Sequence, residues 1–289
     1  MSLENAAPRV GIIVVNFRTE AEVLRLLDSV RTHSPFSDFH ILLVDNSPGH
    51  GAVFPLGGRD VYLPQEANIG FGPACNLAAK ATRAEMIFLA NPDIEFTQSL
   101  AGLPDLMRGS VIGACPLITP PGFFQLRRLP TVGAFAWDFW GMPQLFPRNR
   151  ISRHYYYQPV PGEPFDVEQP AAAALLLQRE RFLELGGFDP LFAPAWFEDV
   201  DLAFRIRARG WKLICDPRLT ISHAAGTTAK MLGRTGFFTF YGGNCVRYFR
   251  KNHGGIQAEV IKMILFLGLF LRTLRGRVSP ALCLKVWRW

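Results

Sequence analysis

"RVGIIVVNF", residues 9–17, runs from Arg9 to Asn16 with nothing but apolar side chains and one glycine between them. A strand wet on one face alternates apolar with polar residues. A continuous β-branched run needs cover on both faces, as in a parallel sheet sandwiched between helices. The chain outward from it repeats the theme. "EAEVLRLLDSVRTH" (20–33) spaces Val23, Leu26, Leu27 and Val30 as one helical face, and "FHILLVDNS" (39–47) is a second buried strand. "VYLPQ" (61–65), the glycine-entered helix "GPACNLAAKATRA" (72–84) and "MIFLANPD" (86–93) complete a β-α-β-β-α-β order. That order predicts an α/β fold: a mostly parallel, Rossmann-like sheet flanked by helices. Ligands of such sheets sit beyond the carboxyl ends of the strands. Asn16, Asp45 and the group Asn91–Pro92–Asp93 stand at those ends, so they are candidate site residues.

The bulk numbers narrow the class. A chain of 289 residues with 49% hydrophobic and 19% charged content suits one large α/β domain or two small ones. Five scattered cysteines without a CxxC pair argue against a disulfide framework and a structural zinc site. The first ten residues lack the layout of a signal peptide, so the chain is expected in the cytoplasm. The net charge is +7, yet from Arg247 onward there are nine Lys/Arg and one acid, so the basicity belongs to the tail. Nucleic-acid binders spread cations over a folded face, so no nucleic-acid partner is expected.

Residues 113–170 are rich in Pro, Gly and aromatics and weak in periodicity, and read as loops lining a cleft. "AAAALLLQ" is a further strand, a short helix ends at Gly186–Gly187, and "KLICDPRLTISHA" is the last strand. Residues 254–289 form the tail, carrying an apolar run Met263–Leu271 too short to span a bilayer. With Lys262 before it, Arg272, Arg275 and Arg277 after it and Arg288 near the end, the tail suits an anionic membrane surface. A core or oligomer helix is the other reading. Deletion of 255–289 is expected to leave a soluble protein that binds its donor.

"AWFEDVDLAFRIRARGW" (195–211) gathers Glu198, Asp199 and Asp201 at a helix start. Acids there interact with the helix dipole by about 0.3–1 kcal/mol each, which would explain them without chemistry. The alternative is a general base kept ionised by that dipole. Asp93 and His223, each at a strand end, could share a divalent cation, although an Asx turn and a structural histidine are the plainer readings. "QEANIGFGPACNLAAKA" sets Asn68, Gly70, Gly72 and Asn76 ahead of a helix whose N–H groups could face an anion. Its spacing fits neither a P-loop nor GxGxxG.

The order of these pieces is more specific than any one of them. "NPD … GGFD … FEDVDL … HxxG", with Asp45 and "YGGNCVRYFRKNHG", resembles glycosyltransferase family 2, the inverting GT-A enzymes, and most of all its rhamnosyltransferase-like branch. The match covers about Val10 to Asn252, within a catalytic domain taken as 1–253. The resemblance implies transfer of a sugar from a nucleotide-diphosphate donor, with dTDP-L-rhamnose favoured over UDP-sugars, to a saccharide or lipid-linked saccharide in cell-surface polysaccharide synthesis. It implies that Asp199 is the base, and that Asn16, Asp45, Asn68, Gly70, Asn76 and Asn91 lie at the donor nucleotide. Asp93 and His223 would hold Mg2+ or Mn2+, while Glu198, Asp201 and Asp189 would stand near the acceptor. Asp189 is also the rival base. Position 91 is Asn where the familiar motif has Asp, which removes one anionic ligand. Two other classes stay open. A glycoside hydrolase also uses paired carboxylates but has no need of the Asp45 and Asn91–Asp93 groups. A non-catalytic sugar-nucleotide-binding membrane protein would show no turnover.

Overall fold

The computed structural model describes residues 9–119, 125–157, 162–223 and 227–289. The amino-terminal residues read for a signal peptide and Gly226 of the HxxG motif lie outside the described residues. The strands are β1 (Val10–Asn16), β2 (Phe39–Asp45), β3 (Val61–Pro64), β4 (Met86–Ala90), β5 (Ile94–Phe96), β6 (Val111–Thr119), β7 (Leu126–Arg127), β8 (Phe165–Val167), β9 (Gln169–Pro170), β10 (Ala174–Gln178) and β11 (Lys212–His223). The helices are α1 (Glu20–His33), α2 (Phe71–Ala81), α3 (Val132–Phe139), α4 (Met142–Leu145), α5 (Arg150–Tyr155), α6 (Arg179–Glu184), α7 (Glu198–Ala208), α8 (Thr227–Asn252, broken at Gly233), α9 (Gly255–Leu274) and α10 (Pro280–Lys285).

One sheet runs β3-β2-β1-β4-β10-β6-β11-β5, with β8 paired to β11. From β3 to β4 every pairing is parallel. β10 then lies antiparallel to both β4 and β6, and β6 resumes a parallel pairing with β11. This is the α/β sheet expected, with helices on its faces. Alternate residues of β1 explain the apolar run: Ile13 and Val15 enter one core layer, and Ile12 and Val14 enter the other. β7 and β9 form a separate two-stranded ribbon.

Two expectations need correction. The stretch 113–170 is not mainly loop: β6 is a central strand, and α3, α4 and α5 follow it. Its prolines and glycines hid the pattern because its helices are short and take their stability from aromatic packing. Nor does 254–289 stand apart from the body. Ala258, Ile261, Leu265 and Leu269 of α9, with Leu282, Cys283 and Val286, share a third core with Phe135, Phe197, Tyr248 and Phe249. The indole of Trp289 lies so close to Gly242 that an added Cβ would sit 2.4 Å from it.

Candidate active site

The carboxyl ends of β1, β2 and β4 and the end of β11 open onto a cavity of about 720 Å³. Asn46, Asn68, Asn91, Asp93 and His223 line the wall nearest the sheet. Glu198 and Asp199 enter it from the start of α7, with Arg127 from β7 beside them. The remaining wall is aromatic, made by Phe135, Phe139, Trp196, Phe197, Phe237, Phe238 and Tyr241.

Asp93 Oδ1 lies 3.0 Å from His223 Nε2, although the two residues are 130 positions apart. β5 pairs with β11 as Ile94↔His223, and that register sets them side by side. Both side chains are largely buried, at 6% and 14% exposure. They offer one carboxylate oxygen and one imidazole nitrogen. Among the described residues no cluster of three or more His, Cys, Asp or Glu could hold a metal. A pair alone fits Mg2+ or Mn2+ that draws its other ligands from phosphate and water.

Asp199 is gripped from three sides. Gln169 Nε2 donates to Oδ2 at 3.0 Å, and the Val200 N–H donates to Oδ1 at 2.8 Å. Burial raises its pKa above the usual carboxylate value, and the Arg127 guanidinium and nearby backbone N–H groups oppose that rise. Glu198 has less support, from its own backbone N–H alone. Its Oε2 is buried without a hydrogen-bond partner, and burial followed by the charge of Asp199 pushes its pKa well up. Two adjacent carboxyls thus differ by environment: Asp199 is the better supported as an anion, and Glu198 is held further toward its protonated form.

Several expected residues hold structure and do not line the cavity. Asn16 donates to Asp45 Oδ1 at 2.9 Å and accepts from the backbone N–H and hydroxyl of Thr19. Asp45 also accepts from Tyr62 at 2.8 Å and from the Ser47 N–H at 3.0 Å, so its carboxylate is engaged within the protein. Asn76 clamps Phe188 by both backbone groups, donating at 2.7 Å and accepting at 2.8 Å. Gly70 and Gly72 are bare for Pro194 and Phe188, each of which would lie 3.0 Å from an added Cβ; the close approach is by protein and not by a phosphate. The first N–H of α2, from Phe71, goes to Pro194 O. Asp201 is fully buried and bonded to Arg205, Lys251 and Asn252, which ties α7 to α8. Asp189 accepts from Leu191 N–H and Lys251 Nζ. Burial would raise its pKa, but those bonds hold it below the ordinary value. Away from the cavity and paired with a lysine, it is not placed as a base.

The site also contains residues that the sequence did not announce. Arg127 and Gln169 come from the β7–β9 ribbon inside the stretch read as loop. Burial works against the charge of Arg127, and Tyr155 and Asp199 outweigh it, so its pKa is raised. Asn244, buried in α8, donates to the carbonyls of Phe192, Ala195 and Trp196 and so fixes the loop entering α7. Of the three, only Asn244 carried a signal in sequence, as a polar residue within an aromatic stretch.

No family model matches the chain. The O-antigen biosynthesis protein RfbC of Myxococcus xanthus is 28% identical; the match takes in 75% of this chain but only 17% of that protein. The N-acetylglucosaminyl-diphospho-decaprenol L-rhamnosyltransferase of Mycobacterium tuberculosis is 27% identical, across 73% of this chain and 75% of its own. Among solved structures, GalNAc-T7 with UDP, GalNAc and Mn2+ superposes with a TM-score of 0.62 at 17% identity, covering 85% of this chain and 48% of that one. The Pyrobaculum calidifontis mannosyltransferase with GDP-Man and Mn2+ gives 0.56 at 15%, covering 98% and 80%. Taken with the sheet order, these likenesses show the GT-A glycosyltransferase fold, and in sequence the chain is similar to an O-antigen biosynthesis protein and to an L-rhamnosyltransferase.

Proposed function

We propose that the chain moves a sugar from a nucleotide-diphosphate donor to an acceptor hydroxyl with inversion, and that Asp199 is the general base. One observation carries this: a half-buried carboxylate, oriented by Gln169 and Val200 and charge-supported by Arg127, shares a cavity with the Asp93–His223 pair. The acceptor hydroxyl gives its proton to Asp199 as its oxygen bonds to the anomeric carbon. The bond from that carbon to the diphosphate breaks on the opposite face, so one carboxylate suffices and configuration inverts. Asp93 and His223 would hold Mg2+ or Mn2+, and a bound cation supplies positive charge to the leaving diphosphate. Asn68 and Asn91, which line the cavity, would contact the donor.

L-rhamnose from dTDP-L-rhamnose is the donor favoured, on the strength of the L-rhamnosyltransferase relative. A UDP-sugar is the second reading, supported by the UDP in one structural neighbour. The acceptor is a saccharide or lipid-linked saccharide in polysaccharide synthesis, and the aromatic wall offers it apolar area. No described helix is long and apolar enough to cross a membrane. The place of action proposed is the cytoplasmic face of the membrane, reached through the outer side of α9. That contact differs from the one expected in sequence. Arg272 turns inward, donating to the carbonyls of Gly268 and Phe139 and lying 4.6 Å from the Phe139 ring centre, so it does not meet lipid.

The test is Asp199→Asn, assayed for transfer and, by titration calorimetry, for nucleotide-diphosphate binding. Transfer should fall about 100-fold or more with binding nearly unchanged. Activity within about tenfold of the parent would sink the base assignment.

A further inference from the structure

Resting on the membrane-surface reading above, we infer that bilayer contact is made by two elements together: the outer side of α9–α10 and the corner formed by Trp140–His154, which adjoin at the border of the cavity.

The α9 half is a stripe. Ile256, Val260, Met263, Leu267, Phe270 and Leu274 recur at alternating spacings of four and three and are all exposed, Ile256 by 85% and Leu274 by 68%. This is a second apolar face, distinct from the one that α9 buries in the third core. The corner half carries the same chemistry on a separate piece of chain. Trp140, Leu145, Phe146 and Ile151 are exposed, and Arg148, Arg150, Arg153 and His154 stand among them. Those four basic side chains line one pocket. Residues 140–154 contain no acidic residue. Monomeric proteins rarely leave apolar groups of this size uncovered.

The two pieces adjoin. Phe139 packs against Gly268 of α9, where an added Cβ would lie 2.5 Å from its ring, and its carbonyl accepts from Arg272 at 2.6 Å. The corner is held to α3 by Trp137, whose Nε1 donates to Ser152 Oγ at 2.9 Å. Gly141 and Gln144 of the corner and Arg272 of α9 line the same cavity that holds Asp199.

Charge decides the occupant. Arg275, Arg277, Lys285 and Arg288 are exposed around the stripe, so both halves pair apolar groups with cations. A bilayer with anionic lipid takes apolar side chains at the headgroup boundary and cations at the phosphates. A second copy in two-fold contact would set the arginine corner against like charge. Docked in this way, the cavity opens toward the membrane, and an acceptor anchored there reaches Asp199 without leaving the bilayer.

The test uses the full chain and vesicles of phosphatidylcholine with and without phosphatidylglycerol. Two variants are compared with the parent by co-sedimentation: Arg148→Glu/Arg150→Glu/Arg153→Glu in the corner, and Leu267→Ser/Phe270→Ser in the stripe. Each should bind anionic vesicles at least about tenfold more weakly than the parent, at unchanged nucleotide-diphosphate affinity and unchanged melting temperature. If only the stripe variant loses binding, α9 is the membrane contact and the corner inference is overturned. If the parent itself does not sediment with anionic vesicles, the membrane-surface reading falls with it. A parent dimer that the corner variant converts to monomer would overturn the inference in favour of self-association.

Discussion

Glu198 and Asp199 are neighbours in sequence, and burial raises the pKa of both, but they differ in what opposes that rise. Arg127 and two donated hydrogen bonds favour the Asp199 anion, whereas Glu198 Oε2 faces no donor. The consequence for stability has a definite sign. A carboxyl whose folded pKa lies above its unfolded value, about 4.3 for Glu, binds protons more tightly when folded, so stability falls as pH rises past that value. Glu198→Gln stays neutral at every pH and escapes that loss. Its melting temperature should match the parent's near about pH 4 and exceed it as pH rises from there. A gap that does not change with pH would mean that Glu198 is not held protonated. Arg127 yields a kinetic prediction on the same pair. Arg127→Met removes the cation that opposes the rise in Asp199, so the acid limb of kcat against pH should move to higher pH, with Arg127→Lys moving it less. An unmoved limb in Arg127→Met would leave Arg127 a structural role only.

At the scale of elements, the loop entering α7 is held by the helix after it. Trp196 and Phe197 adopt left-handed backbone, with φ of 72° and 71°, a conformation costing about 1–2 kcal/mol per residue for non-glycine side chains. Three carbonyls around that turn converge on the amide of Asn244, which Arg247 fixes through Oδ1 at 2.6 Å. Asn244→Leu fills similar volume and donates nothing. Leaving buried carbonyls unsatisfied should cost about 3 kcal/mol in urea unfolding. Since the same turn aims Asp199, transfer should fall more steeply than donor affinity. A variant that loses neither stability nor activity would show that the turn holds itself. The motif FEDVD is therefore readable as a helix start, while what orients it comes from a residue 45 positions downstream of Asp199.

Across the whole molecule, the third core joins both ends of the carboxyl-terminal half to the site. Ile261, Leu265, Leu269, Leu282 and Val286 are buried against the same cluster that contains Phe135 and Phe197 at the cavity. Each such side chain is worth about 1.5–3 kcal/mol on burial, and whole domains are stable by only about 5–15 kcal/mol. Deletion of 255–289 should therefore not give the soluble donor-binding protein that the sequence pattern suggests. Expression in the insoluble fraction, or a melting transition at least about 10 °C lower than the parent's, is the expected outcome. A truncated chain that melts like the parent would show that the tail is separate after all.

The sequence by itself determined the sheet and the order of its pieces. A β-branched run with no polar face cannot be an exposed strand, and helices alternating with such runs leave little choice but covered parallel pairing. It also placed Asp93, Asp199 and His223 at strand ends or a helix start, because those positions follow from local period alone. Whether a polar side chain faces the cavity or the protein was decided only by tertiary structure. Asn76, Asp189 and Asp201 have the same motif credentials as Asp199, yet each has a partner 50 to 112 positions away that turns it inward. Arg127 and Gln169 carry no motif and reach Asp199 through a two-residue ribbon too short to leave a period. Local pattern fixes backbone and burial; the partner of a polar group is a long-range fact, set when the sheet and the third core close around the site.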